Sequence, residues 1–357
     1  MYYVREAESP KWKYWYTALA VWKKILLILG CLVLAAIVVG GTGIAWLFLR
    51  KPAMAPPSSI KVAMTPERIA RGQYIYETLA DCASCHSQRD FTRFGGPEVP
   101  TGRGRGNIMS DLLKGLPGVV VAPNITPDRE TGIGNWTDGE KIRAIREGVD
   151  RDGNALFPMM PYEGFGRLSD EDVQAVVAYL DSLPPIHNPL PKTKLVFPVS
   201  VLIKSAPKPV GSVAATDKSD PKKYGEFLMA VGGCAECHTP TDDKGQPLSG
   251  RLLAGGRLFD SPMGKVLSAN ITPDSDTGTG KWSQEFFLQK FYEYKEYAAN
   301  GPPPSPGPQS FTLMPWLGFS RKTEDELKAI YAYLRTVPAV RNPVETHPEL
   351  PSPPAVQ

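Results

Sequence analysis

The sequence predicts a mainly α protein: one amino-terminal transmembrane helix followed by two tandem copies of a single helical domain. Three observations predict it. Ile25 to Leu49 is a 25-residue stretch without a charged side chain, several short motifs occur twice at offsets of 146 to 154 residues, and helix-start signals lead into apolar residues at helical spacing with little strand-like alternation.

The whole chain has 357 residues, 42% hydrophobic and 22% charged, which excludes wholesale disorder and a polytopic membrane protein. A net charge of +3 over that length is no basic stripe, so nucleic acid is not an expected partner. The charge is also unevenly placed. Of 40 Lys and Arg and 37 Asp and Glu, seven and two respectively fall within residues 1–51, leaving 33 and 35 beyond: the excess positive charge belongs to the amino-terminal end.

At ~1.5 Å per residue, 25–49 crosses a ~30 Å hydrocarbon layer with some tilt. Arg5, Lys11, Lys13, Lys23 and Lys24 against Glu6 and Glu8 precede it, and only Arg50 and Lys51 follow closely. By the positive-inside rule, 1–24 is a cytoplasmic and interfacial tail and the rest lies outside. Trp12, Tyr14, Trp15, Tyr16 and Trp22 fit the inner interface and Trp46 the outer one. A cleaved signal peptide would have a shorter apolar run. Cleavage at the lipoprotein-like Ile28-Leu29-Gly30-Cys31 would leave a long uncharged terminus, so Cys31 reads as an inert helix residue.

The other four cysteines form Cys82-Ala83-Ser84-Cys85-His86 and Cys234-Ala235-Glu236-Cys237-His238, both C-x-x-C-H, the pattern of covalent haem c attachment. Two thiols three positions apart can each form a thioether to a haem vinyl group while the adjacent imidazole turns onto the iron. A zinc site pairs C-x-x-C units about 15 to 20 residues apart, whereas these are 152 apart and each has its own histidine.

The repeat extends further. Asn124-Ile125-Thr126-Pro127-Asp128 with Trp136 returns as Asn270-Ile271-Thr272-Pro273-Asp274 with Trp282, and Met160-Pro161-Tyr162 as Met314-Pro315-Trp316. Ala178-Tyr179-Leu180 returns as Ala332-Tyr333-Leu334. Met159 adjoins Met160, but only Met160 has a counterpart, Met314, so Met160 and Met314 are the candidate sixth iron ligands beside His86 and His238. A thioether is a soft ligand that favours ferrous iron. His187 and His347 lack such pairing and read as surface histidines.

Thr65-Pro66-Glu67 opens a helix into the first cysteines, and Thr137 to Glu140, Ser169 to Asp172 and Thr323 to Glu326 are capping-box starts or close to them. The last two lead into inner faces of Val173, Val176, Val177 and Leu180, and of Leu327, Ile330 and Leu334. The expected organisation is a tail 1–24, a span 25–49, a stalk 50–64, domains at 65–188 and 220–342 about a linker 189–219, and a proline-rich tail 343–357. The longer middle loop of the second copy holds the proline-rich stretch Gly301 to Pro308.

These motifs resemble class I c-type cytochrome domains, and more narrowly the cytochrome subunits of bacterial membrane-bound alcohol, gluconate and aldehyde dehydrogenases. The resemblance covers roughly residues 65–190 and 220–345. It implies two covalently bound haem c groups, axial pairs His86/Met160 and His238/Met314, electron transport rather than enzyme catalysis, and the periplasmic face of a bacterial inner membrane. Those subunits typically carry three haems, and this chain has two attachment motifs. A membrane-tethered shuttle, a subunit of a respiratory complex and a subunit dedicated to one dehydrogenase therefore stay open. A dihaem peroxidase is the enzymatic alternative, disfavoured because both copies keep a methionine. Trp136, Trp282, Asn124 and Asn270 are candidates to support haem propionates, with packing and turn roles as the competing reading.

Overall fold

The structure is a computed structural model that describes residues 12–243, 245–303 and 311–348. Arg5, Glu6, Glu8 and Lys11, the side chains of Trp12, Lys13, Tyr14 and Tyr16, residues 304–310 of the proline-rich stretch and the tail from 349 lie outside the described residues. The chain divides after Arg50 into two compact units.

The first unit holds α1 (Trp12–Leu49), which begins 13 residues ahead of the uncharged stretch. Its segment Val21–Leu49 has a mean hydropathy of 2.7 over 29 residues, long and apolar enough to span a membrane. Apolar side chains face outward all round it, and Thr42, the one hydroxyl within the uncharged stretch, satisfies itself by donating to the Val38 carbonyl at 2.8 Å.

The second unit contains α2 (Pro66–Tyr74), α3 (Ala83–His86), α4 (Met109–Leu112), α5 (Asp138–Glu147), α6 (Tyr162–Phe165), α7 (Asp170–Ser182) and α8 (Val199–Leu202). There follow α9 (Pro221–Val231), α10 (Cys234–His238), α11 (Gln284–Tyr292), α12 (Lys295–Asn300), α13 (Trp316–Phe319) and α14 (Glu324–Leu334). Among the described residues, strands are confined to three antiparallel pairs: β1 (Asn107–Ile108) with β3 (Val121–Ala122), β2 (Gly118–Val119) with β4 (Lys194–Leu195), and β5 (Leu258–Ser261) with β6 (Gly264–Leu267). The class is mainly α, as the sequence predicts.

Local sequence starts these helices where expected. Thr137 and Thr323 make complete capping boxes, each hydroxyl accepting from the N3 amide while Glu140 or Glu326 accepts from the cap's own N–H. Ser169 caps α7 through the Asp172 amide alone. Val173, Val176, Val177 and Leu180 of α7 and Leu327, Ile330 and Leu334 of α14 are all buried.

In each copy the first helix crosses the last at a glycine. A Cβ built on Gly72 would stand 1.9 Å from the Ala175 carbonyl oxygen, and one on Gly225 2.0 Å from that of Ala329, so only glycine permits α2 on α7 and α9 on α14 at this approach. Ten positions separate Gly72 from Cys82 but nine separate Gly225 from Cys234. The first copy takes up its extra residue as a π-helical turn, Ile75–Leu79, with the Ala80 amide bonded to the Ile75 carbonyl.

The two copies share one core: Ile75, Leu79 and Val176 belong to the same buried apolar cluster as Leu228, Val231 and Ile330. They meet reciprocally. Gly164 of α6 abuts the Ala230 carbonyl of α9, and Gly318 of α13 abuts the Glu77 carbonyl of the π turn; a Cβ at either glycine would stand only 2.2 or 2.6 Å, respectively, from that oxygen. Arg167 pairs with Glu226 at 3.0 Å, and its counterpart Arg321 with Glu77 at 3.1 Å, each arginine reaching the opening helical segment of the other copy.

Candidate haem c sites

Each attachment motif forms one helical turn directly after the first helix, α3 in one copy and α10 in the other. The His86 Nδ1 lies 2.8 Å from the Pro123 carbonyl oxygen, and the His238 Nδ1 2.8 Å from that of Ala269. A carbonyl only accepts, so each Nδ1 carries the hydrogen and Nε2 keeps the lone pair a metal needs. Burial lowers the pKa of both imidazoles, against the raising effect of that hydrogen bond, and favours the neutral, ligating form.

Backbone bonds hold the histidine turns from behind. Gly106 N–H donates to the His86 carbonyl at 2.8 Å and Gly255 N–H to that of His238 at 2.6 Å. The Ser87 hydroxyl accepts from the Gly104 amide at 3.0 Å and the Thr239 hydroxyl from the Leu253 amide at 3.2 Å. The second copy thus places a leucine, φ +61°, where the first has glycine at φ +73°.

None of the four motif cysteines is joined in a disulfide. Desolvation raises the thiol pKa of Cys82, Cys85 and Cys234. Among the described residues no three or more His, Cys, Asp or Glu side chains converge on a common metal position.

Met160 and Met314 occupy the same backbone setting. Each is followed by a proline at the centre of an inverse γ-turn, Pro161 at φ −80°, ψ 55° and Pro315 at φ −79°, ψ 57°. The amide two residues on returns to the methionine carbonyl at 2.8 Å in both copies. Both side chains are half-buried against the shared core, as are Cys82 and Cys234. Met159 points elsewhere, into a separate cluster with Cys85, Phe157 and Leu195 around Met109 and Val120.

Trp136 and Trp282 pack on the core at the entries to α5 and α11. Asn124 and Asn270 use their whole hydrogen-bonding capacity internally. The Asn124 amide donates to Thr131 Oγ1 at 3.0 Å and the Ile186 carbonyl at 2.7 Å, and its oxygen accepts from the Thr126 amide and hydroxyl. Asn270 repeats this with Thr277, the Val340 carbonyl and Thr272. These asparagines clamp the loop to the chain leaving each last helix. His187 is exposed between Asp128 and Glu130. His347 is no plain surface histidine: half-buried, its Nε2 lies 3.2 Å from the Phe311 carbonyl, while the Thr346 carbonyl accepts from the Leu267 amide.

Sequence reasoning did not find the polar seam between the copies. Lys322 is buried, its Nζ donating to the Thr78 carbonyl at 2.5 Å across the interface, and burial lowers its pKa to about 8 against the opposing fields of Glu326 and Asp81. The nearby Asp81 is pushed up to about 6, also by burial. Between pH 8 and 10.5 the unfolded chain binds more protons at this lysine than the folded one, so its contribution to stability rises with pH through that window. Over pH 8 to 10, urea denaturation of the wild type is expected to gain about 2 kcal/mol relative to Lys322→Met. Parallel pH dependences would show that the ammonium is not desolvated.

A turn presenting two thiols and a pre-oriented neutral imidazole, built twice on a crossed helix pair with a methionine loop, has the donor set of haem c. The class is therefore a tandem c-type cytochrome. A family model for cytochrome c matches residues 69–184 and again 223–338, and the chain belongs to the cytochrome c family. It is similar to the fructose dehydrogenase cytochrome subunit of Gluconobacter japonicus, 32% identical over 76% of this chain and 53% of that protein. It resembles also the alcohol dehydrogenase (quinone) cytochrome c subunit of Gluconobacter oxydans (strain 621H), 30% identical over 76% of this chain and 55% of the relative. A diheme cytochrome c-type protein of Cereibacter sphaeroides is 30% identical over 84% of this chain and 95% of its own length. The chain thus spans about half the length of the dehydrogenase subunits and nearly all of the diheme protein. Covalently bound haem c, electron carriage rather than catalysis, and an apolar helix suited to membrane anchoring follow from this membership and from α1.

Proposed function

We propose that this chain is a membrane-tethered dihaem electron carrier of the periplasmic face of a bacterial inner membrane, accepting electrons from a quinol-oxidising complex or dehydrogenase and passing them to a terminal oxidase or soluble carrier. The observation that carries the reading is duplication within one body: both copies set a histidine with its Nδ1 on a loop carbonyl and a methionine in an inverse γ-turn, and both pack on one core. Cys82, Cys85, Cys234 and Cys237 would hold the two haems as thioethers, and His86 with Met160 and His238 with Met314 would supply the iron ligands. Bound haem supplies one-electron chemistry at a potential its ligands and burial set. The chain's own residues fix the imidazole tautomer, exclude water through the shared core, and keep the two sites in a constant relation.

The acid-to-base balance outside the amino-terminal region, 33 positive and 35 negative residues, supports docking through local patches rather than a field of one sign. A second reading, a subunit dedicated to one membrane dehydrogenase, is favoured by the names of two relatives. The diheme relative, matched over 95% of its length, is named for two haems, the number proposed here. Full chain extracted in mild detergent and reduced anaerobically is expected to carry two haems and be reoxidised rapidly by a soluble high-potential cytochrome, and by peroxide only at the uncatalysed rate. Catalytic peroxide turnover overturns the carrier reading. Stoichiometric co-purification of one dehydrogenase moves the assignment to the second reading.

A further inference from the structure

The segment joining the two copies carries an exposed apolar tip in a basic surround. Phe197 is 71% exposed, Leu202 61% and Val196 55%, while in α8 only Val201 is fully buried. These residues are adjacent in space as well as in sequence: the Leu202 amide returns to the Pro198 carbonyl, the Ser200 amide to Val196, and the Val196 amide to Pro117. The β2–β4 pairing sets Val119, itself 39% exposed, opposite Lys194.

Charge distinguishes this tip from a scattered set of surface hydrophobics. From 182 to 216 the sequence contains no Asp or Glu and has Lys192, Lys194, Lys204 and Lys208, whereas the rest of the second unit has 30 Lys and Arg against 35 Asp and Glu; of the four, Lys192 lies 4.0 Å from Asp152. A short apolar knuckle in a lysine-bearing segment has the chemistry of an interfacial lipid contact: aromatic and aliphatic side chains enter the acyl boundary while ammonium groups on long apolar stems stay at the anionic headgroups. The chain also carries a helix long and apolar enough to span a membrane, so bilayer is present at high effective concentration.

We infer that Val196, Phe197 and Leu202, with Lys192, Lys194, Lys204 and Lys208, form a second, peripheral contact of this protein with an anionic lipid surface. The contact is made by the linker and does not depend on the axial-ligand assignment.

The test is full-chain holoprotein in nanodiscs whose phosphatidylglycerol or phosphatidylcholine carries a photoreactive group on the acyl chain, with adducts mapped by mass spectrometry. Adducts on the peptide spanning Val196 to Leu202 are expected at least several-fold more abundant with phosphatidylglycerol than with phosphatidylcholine. The combined variant Lys192→Gln, Lys194→Gln, Lys204→Gln, Lys208→Gln should lose that excess with its haem spectrum unchanged. Adducts on α1 peptides serve as the control for incorporation. Labelling confined to α1, labelling indifferent to headgroup, or cross-linking of this peptide to a protein in native membranes without lipid adducts would each overturn the inference.

Discussion

Gly72→Ala and Gly225→Ala are each expected to destabilise the protein by about 3 kcal/mol, the upper part of the range for overpacking a core. Helix propensity alone points the other way, since alanine is favoured over glycine by about 1 kcal/mol in a helix interior. Sterics win because of what the new methyl meets. At Gly72 the obstacles are the Ala175 carbonyl oxygen at 1.9 Å, its carbon at 2.5 Å and the Tyr179 Cβ at 2.7 Å; at Gly225 they are the Ala329 oxygen at 2.0 Å and the Tyr333 Cβ at 2.8 Å. None is the free end of a flexible side chain. Relief requires α2 and α7, or α9 and α14, to separate, which opens packing such as the Tyr76–Tyr179 edge contact at 5.2 Å. Gly211 is the control, with nothing within 4 Å of its Cβ position, and Gly211→Ala is expected to be neutral or stabilising by about 0.5 kcal/mol. Urea denaturation followed by helical circular dichroism distinguishes the three. A loss below about 1 kcal/mol at both crossing glycines would mean that the helices do not approach this closely.

The internal repeat makes much of this legible from residues alone, because the motifs that recur are those whose chemistry or turn geometry tolerates little variation. Capping boxes and inner faces are readable because the helix period writes them into neighbouring residues. The crossing glycines are present in the sequence but unmarked: a glycine within a helical stretch looks like a weak point until the facing carbonyl is placed. The π turn is visible only as a change in spacing, ten positions against nine, which alignment of the two copies can detect but cannot turn into a hydrogen-bond pattern. Lys322 is illegible for a different reason. Its counterpart in the first copy is the buried Leu168, so the repeat offers no precedent, and a lysine beside Arg321 and Thr323 reads as solvated surface. Its partner, the Thr78 carbonyl, lies 244 residues away in the other copy, a contact no local pattern encodes. The asparagines show the converse: the motif is evident, but only the structure reveals that each amide is spent on a loop clamp.

Met160→Ala and Met314→Ala are each expected to abolish one Met-to-iron charge-transfer band and lower one of two midpoint potentials by more than about 0.1 V, a fraction of the ~0.8 V range that axial ligation spans. The sign follows from ligand chemistry, because a thioether stabilises ferrous over ferric iron and its replacement by water or hydroxide reverses the preference. Met159→Ala is the discriminating control. Its side chain packs with Cys85, Phe157 and Leu195 rather than with Met160 on the main core, so Met159→Ala should leave the charge-transfer band in place and Met159 should not rescue Met160→Ala. The two sites are also expected to differ in potential. Trp316, two residues after Met314, stacks on Tyr294 with ring centres 4.8 Å apart, and Tyr294 stacks in turn on Phe94 of the first copy at 5.3 Å and 1° between planes. The Phe94 amide donates to the Pro303 carbonyl at 2.9 Å, fastening the long loop of the second copy to the first. With Trp316 only two residues from Met314, this aromatic stack is expected to shield that site from water, and removing water from a site whose ferric form bears the extra charge raises its potential. Tyr294→Ala should therefore lower the same potential that Met314→Ala lowers, by a smaller amount, and leave the potential governed by Met160 in place. Spectroelectrochemical titration of the four variants reads every term. Loss of a charge-transfer band on Met159→Ala in place of Met160→Ala would reassign the first ligand, and equal movement of both potentials on Tyr294→Ala would remove the stack as the source of their difference.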